Sequence, residues 1–217
     1  MNETLQRLSK CGFAPTVVID AGANVGQWSR VAGRIFANAS FHLIEPQPAC
    51  AAALAAFCVE RPSTEFHQIA VTRPGRKQVR MADADGSTGA YVRDTGEAPT
   101  DRCLPATTFD ELFATRVDAD SRVLLKLDLE GHELDALAGA EWLLTRTEVL
   151  ITEVQFYQVD RNGQPTFADV VIALRSCGFQ PYDIAALASR PRDGRLRQGD
   201  VVFARNGSSL LNDERWA

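Results

Sequence analysis

The chain has no surplus of basic residues: 23 Lys and Arg stand against 28 Asp and Glu, a net charge of −5 over 217 residues, with a pI near 5.3. That balance argues against a broad phosphate-binding face, because neutralising nucleic acid needs Lys and Arg gathered in excess. No apolar run reaches the ~20 residues of a membrane span. The start, Met1-Asn2-Glu3-Thr4-Leu5, lacks the basic opening and apolar stretch of a signal peptide. A cytoplasmic protein is expected. The five cysteines, Cys11, Cys50, Cys58, Cys103 and Cys177, are odd in number and form no C-x-x-C pair. Neither a disulfide framework nor a cysteine zinc cluster is indicated, and reduced, mostly buried thiols are expected. There is no internal repeat. The length suits one domain: a core over about 14–205, a short helix over 3–11 before it, and a polar tail over 206–217, surface-bound or frayed.

The dinucleotide pattern G-x-G-x-x-G is also missing. In its place, Asp20-Ala21-Gly22-Ala23-Asn24-Val25-Gly26 follows the β-branched run Thr16-Val17-Val18-Ile19. Asn24 stands where the second Gly would let a pyrophosphate approach, and Gly26 falls one residue early. The amphipathic run Trp28, Val31, Ala32, Ile35, Phe36 then starts a helix whose free N–H groups face the loop. This D-x-G-x-N-x-G form resembles the first motif of S-adenosylmethionine-dependent methyltransferases. The next strand, 40–45, ends in Glu45, 19 residues after Gly26, where a carboxylate can accept both ribose hydroxyls. Asp20, Gly22, Asn24, Gly26 and Glu45 therefore make one expected adenosine site.

Strand and helix alternate from Thr16 onward. An alanine-rich helix over 49–60 is launched by Pro46 and Pro48 and ended by Pro62; a third strand covers 64–71. Periodicity weakens over 72–105, a segment too long for a plain connection, which should hold extra short strands or a mobile loop over the site. Thr108 and Glu111 form a capping box. Further strands are expected over 123–129, 149–155, 179–184 and 200–204, with helices carrying Leu134 and Leu137 and spanning about 167–176. A long polar link over 189–199 joins the last two strands as an antiparallel pair. Such alternation implies a mostly parallel sheet with helices on both faces.

In Lys126-Leu127-Asp128-Leu129-Glu130-Gly131-His132-Glu133 the strand period sends Leu125, Leu127 and Leu129 to one side and Lys126, Asp128 and Glu130 to the other. Three charges on a central parallel strand are costly to bury unless they pair or meet a ligand. They also fall at the end of the strand where open α/β sheets bind ligands.

Three stretches together are similar to the FkbM-like methyltransferases: 17–26, the T-x-x-D-E-L helix of Thr107, Asp110, Glu111 and Leu112 with Thr108 and Phe109 between them, and 125–133 with Leu137, Gly139 and Ala140 behind it. Residues 81–100 fall outside the resemblance. It implies the class I methyltransferase (Rossmann-like) fold, a mostly parallel seven-stranded sheet with the last strand antiparallel. It further implies S-adenosylmethionine as cofactor and methylation of a hydroxyl oxygen on a small-molecule, sugar or glycan acceptor. With an activated donor, the protein must align the acceptor oxygen and remove its proton. Asp128 is the first candidate for that base, with Glu130 and His132 next. Lys126 either pairs with Asp128 or meets a ligand. Glu153 either holds the acceptor or pairs with Lys126. His42 and His67 read as structural, while Ile69 and Ala70, on the rim of the third strand beside Gln68, are placed to flank adenine. A metal between Asp128, Glu130 and Glu153 would suit carboxylate ligands, but spacing alone assigns none. The rival readings are a nicotinamide-dependent oxidoreductase, disfavoured by the missing glycine at position 24, and a methyltransferase-like binding module without catalysis. A nucleic-acid methyltransferase is disfavoured by the acidic balance.

Overall fold

The computed structural model describes residues 1–94, 96, 98–158 and 164–212. Its frame is a seven-stranded sheet of β1 (Val17–Ala21), β2 (Ser40–Ile44), β3 (Thr64–His67), β8 (Val123–Leu127), β9 (Thr147–Gln155), β10 (Phe179–Ser189) and β11 (Leu196–Arg205). They lie in the order β10-β11-β9-β8-β1-β2-β3. β1 pairs in parallel with β2 and β8, β2 with β3, and β8 with β9, while β11 runs antiparallel to both β9 and β10. All five residues of β1 and of β8 are buried, as expected of central strands covered on both faces.

Alternate residues of these strands enter two cores. Val17, Ile19, Leu125 and Leu127 join Phe109 and Phe113 of α4 (Phe109–Phe113), Leu143 of α6 (Glu141–Leu144), and Val170 and Leu174 of α7 (Phe167–Ser176). Val18 and Leu124 face the other way, toward Leu5 and Leu8 of α1 (Asn2–Lys10) and Ala32 of α2 (Gln27–Ile35). Beside them, α3 (Ala51–Glu60) packs Leu54 and Phe57 on Leu43. The capping box at Thr108 is present: Thr108 Oγ1 accepts from Glu111 N–H, and the Glu111 carboxylate accepts from Thr108 N–H. A similar device not anticipated from the sequence starts α7, where the Asp169 carboxylate accepts from the N–H and hydroxyl of Thr166.

Several expected boundaries move. The strand over 64–71 is two strands: β3 ends at His67, and β4 (Ala70–Val71) leaves for a second sheet of order β4-β7-β5-β6. That sheet, with β5 (Gln78–Ala82), β6 (Tyr91–Val92) and β7 (Arg102–Thr107), is the content of the irregular segment 72–105, and it buries Val79, Met81, Leu104 and Ala106 together. The first turn of the helix over 49–60 is a 3-10 turn, Pro48–Cys50. β8 stops at Leu127, two residues early, because Glu130 (φ +52°) and Gly131 (φ +96°) turn the chain into α5 (Glu133–Leu137). The link over 189–199 is shorter than expected: β10 runs to Ser189 and β11 starts at Leu196, leaving a turn at 190–195. The tail is not frayed through 212: Leu210 is buried against the α1–α2 core, and Ser208 Oγ donates to Glu148 at 2.8 Å. Residues 213–217 lie outside the described residues. All five cysteines are unpaired, but Cys11, Cys103 and Cys177 are exposed, so the thiols are not mostly buried. Among the described residues no helix is long and apolar enough to cross a membrane.

Candidate active site

The strand order fixes where a ligand can sit. From β1 the chain winds outward through β2 to β3, then crosses back to β8 on the opposite side of β1, so the connections leaving β1 and β8 diverge and open a crevice. A cavity of about 300 Å³ occupies it. Asp20, Gly22, Asn24, Glu45, Ala70, Lys126, Asp128, Glu130 and His132 all line it. Two expected cofactor residues lie elsewhere. Ile69 packs against the larger core instead, because the chain swings between sheets at that point. Gly26 stands at the start of α2 with φ +78°, backed by Leu54 and Phe57.

The loop after β1 is held from across the crevice. Glu45, buried at the end of β2, accepts from Asn24 N–H at 2.9 Å through Oε2 and from Gln47 N–H at 3.0 Å through Oε1. Burial raises its pKa against the pull of those donors. Gly22, at φ +83°, is required: a Cβ there would overlap the carbonyl oxygen of Asp128.

Below this loop lies a charge cluster in which Asp20 and Lys126 are buried and Asp128 is half-buried. Lys126 Nζ is 2.8 Å from Asp128 Oδ2 and 3.8 Å from Asp20 Oδ1, and sits 5.7 Å from the ring centre of Trp28. Burial alone would lower the pKa of this ammonium, which is 5% exposed, but Asp128 and Asp20 hold it raised. Burial pushes Asp20 up, opposed by Lys126 and by the Ser29 hydroxyl, which donates to Oδ2 at 2.6 Å. Asp20 Oδ1 and Trp28 Nε1 are buried without a hydrogen-bond partner among the described residues, and both side chains line the cavity. An unmet acceptor and an unmet donor at one end of a cavity suit the ammonium and carboxylate of an amino-acid moiety.

The other end is acidic. Carboxylate oxygens of Asp128, Glu130 and Glu153 lie within 4.8 Å of one another. Glu153 does not pair with Lys126; it accepts from Gln198 Nε2 at 2.7 Å and Gln155 Nε2 at 3.3 Å. Burial, then Asp128, Glu130, Asp200 and Glu133, raise its pKa to about 8. Charged proximity of Asp128 and Glu130 survives the loss of the strand, because the 128–131 turn is tied by buried Glu133, which accepts from Leu129 N–H at 2.9 Å and Gly131 N–H at 3.3 Å. His132 is buried, its Nε2 3.0 Å from Thr72 Oγ1, and burial lowers its pKa.

Trp28, Gln47, Ser87, Thr88 and Asp200 also line the cavity and were not singled out from the sequence. Trp28 reads there as one more apolar position of α2. The others carry no local pattern; only tertiary proximity brings them in. His42 and His67 do not line the cavity.

A family model for the methyltransferase FkbM domain matches residues 20–181. No curated protein sequence matches the chain. Among solved structures, an FkbM methyltransferase from Methylobacillus flagellatus KT superposes with a TM-score of 0.55 at 15% identity, over 87% of this chain and 43% of that one. This chain thus spans less than half of that relative's length. The magnesium protoporphyrin IX methyltransferase ChlM of Synechocystis PCC 6803, with bound S-adenosylmethionine, gives 0.54 at 15% identity over 94% and 77% of the two chains. The fibrillarin pre-rRNA processing protein of Methanococcus jannaschii gives 0.51 at 12% identity, over 89% and 68%. At these identities the likeness establishes the class I methyltransferase fold and leaves the acceptor open. The family match removes the nicotinamide-dependent alternative. Matched across most of its length and built on that fold, the chain belongs to the FkbM family of S-adenosylmethionine-dependent methyltransferases.

Proposed function

We propose that the chain methylates a hydroxyl oxygen of a small-molecule, sugar or glycan acceptor, using S-adenosylmethionine bound between Gly22 and Glu45. The observation that carries the cofactor half is the pair of unmet buried atoms, Asp20 Oδ1 and Trp28 Nε1, at the foot of a cavity whose wall cannot tolerate a side chain at Gly22. The cofactor supplies a methyl group already activated by its sulfonium. Asp20 and Trp28 would meet its amino-acid end, Glu45 the ribose, and Ala70 the adenine. A carboxylate offers about four lone-pair sites; the Asn24 and Gln47 main chains and the Gln47 side chain engage Glu45 without filling them, which leaves room for a ribose hydroxyl.

The acceptor half rests on the acidic rim. Hydroxyl groups donate readily to Asp128 and Glu130, whereas a polyanion would be repelled by them. Asp128 is the proton acceptor in this reading, with Lys126 fixing its orientation through the 2.8 Å contact. Glu130 and His132 flank it. Glu153, with its pKa near 8, is protonated at neutral pH and donates to an acceptor oxygen. Unpaired cysteines suit a reducing, cytoplasmic setting.

The test is methyl transfer from labelled S-adenosylmethionine to a panel of sugars, glycans and small alcohols, with thermal shift for cofactor binding. Transfer that survives acid and base treatment as a methyl ether supports the reading. Cofactor binding without transfer to any hydroxyl acceptor would leave a binding module instead.

A further inference from the structure

A second polar cluster lies outside the cavity, on the face of β2 and β3 that is turned toward α4. In the parallel register His42 is opposite Glu65 and Ile44 opposite His67. Glu65 and His67, two apart, therefore share a face of β3 with His42 beside them. His42 Nδ1 and His67 Nε2 are 3.2 Å apart, and Glu65 Oε2 lies 3.8 Å from the first and 3.9 Å from the second. Phe113 stands edge-on to both rings, at 5.1 and 6.0 Å between centres. His42 is 4% exposed; the Glu65 side chain is 58% exposed, so an ion can reach the cluster from solvent.

We propose that His42, His67 and Glu65 form a zinc-binding site that clamps the edge strand β3 to β2. With zinc–nitrogen bonds of about 2.0–2.1 Å, a 3.2 Å separation of two ring nitrogens subtends about 100–105° at the metal, close to the tetrahedral angle. Two imidazoles and one carboxylate, with the fourth position open to water, form a donor set that zinc accepts; magnesium and calcium favour oxygen ligands throughout. Ligand imidazoles must be neutral. Burial, with the neighbouring His67, takes His42 down to about 4, and burial together with Arg116 lowers His67. The carboxylate needs to close by about half an ångström to complete tetrahedral spacing. It is free to do so: its present neighbour is Arg116 Nε at 3.3 Å on the solvent side, and Glu65 exchanges that contact for the metal. Without metal, one imidazole N–H donates to the other across the same gap.

The experiment uses the full chain after chelator treatment, with zinc titrated by calorimetry and cobalt(II) followed by absorption. One zinc per chain is expected, with the melting temperature raised by about 5–10 °C at a hundredfold excess over Kd. The cobalt form should show tetrahedral bands and no thiolate charge-transfer absorption, which excludes the five cysteines. Glu65→Gln, an exposed change that keeps the fold, should weaken zinc at least about tenfold, and His67→Ala should abolish the thermal shift. No zinc binding by the wild type, a thiolate signature, or unchanged affinity in folded Glu65→Gln would each overturn the site.

Discussion

The main-chain carbonyl of Asp128 fills the space that a side chain on Gly22 would need. Asp128 N–H also donates to Ala21 O at 3.0 Å, so the loop after β1 and the turn after β8 are pressed together. The loop proposed to hold the cofactor and the carboxylate proposed to face the acceptor are thereby built as one unit. Gly22→Ala should destabilise the protein by more than the ~1–2 kcal/mol of a left-handed non-glycine residue. Gly75→Ala is the control, since Gly75 has φ +80° and open space around it. Melting temperatures of the two should differ, and only Gly22→Ala should lose the thermal shift with S-adenosylmethionine.

Glu45→Ala should weaken cofactor binding and loosen the loop together. The carboxylate holds two main-chain N–H groups besides any ribose hydroxyl. Each charge-assisted bond is worth on the order of 1.5–3 kcal/mol before water compensates. Calorimetry should show at least a tenfold loss of affinity, and equal affinity would remove Glu45 from the site.

Asp128→Asn separates catalysis from charge pairing. Asn keeps an oxygen for Lys126, and Asp20 remains 3.8 Å away to balance the ammonium. The expected result is turnover reduced by about 10²–10⁴-fold with a small change in melting temperature and in cofactor affinity. A large drop in stability with normal single-turnover transfer would assign Asp128 to pairing alone.

Glu153 ionises near 4.5 in the unfolded chain and near 8 in the folded one. Between those values the folded state binds the extra proton, so this residue's contribution to stability falls as pH rises from about 4.5 to 8. Glu153→Gln cannot ionise. Its melting temperature relative to wild type should therefore climb from pH 5 to pH 8 and then level. A constant difference across that range would show that Glu153 titrates normally.

The segment 81–96 is expected to cover the acceptor and to tighten with ligand, although Thr95 lies outside the described residues. Gln47 pins it to the end of β2: its Oε1 accepts from Gly86 N–H at 2.9 Å, and its Nε2 donates to Ser87 O at 3.2 Å. Gln47→Ala should speed hydrogen exchange around 86–88, and cofactor should slow it in the wild type. Exchange already slow in the free protein and unmoved by ligand would end the lid reading.

Local patterning carried much of this protein. Glycine spacing in 20–26, the apolar run before it and the carboxylate ending 40–45 are consequences of short-range geometry, so the first strand, loop and helix could be read directly, as could the capping box at Thr108. The alternation of strands and helices fixed the sheet type for the same reason. Distance in sequence hid the rest. The break between His67 and Ala70 depends on β4 finding β7, some 35 residues later, and no local signal announces that pairing. Strand period carried the argument over Lys126, Asp128 and Glu130 two residues too far, because the turn at Glu130 is fixed by Glu133 reaching back to main-chain donors. Helical period placed Trp28 on the apolar face of α2, where it does pack against the core, but could not show that its ring also meets a buried ammonium. The gathering of His42, Glu65 and His67, and of Asp128 with Glu153, is decided by strand register and order, which only the folded sheet sets.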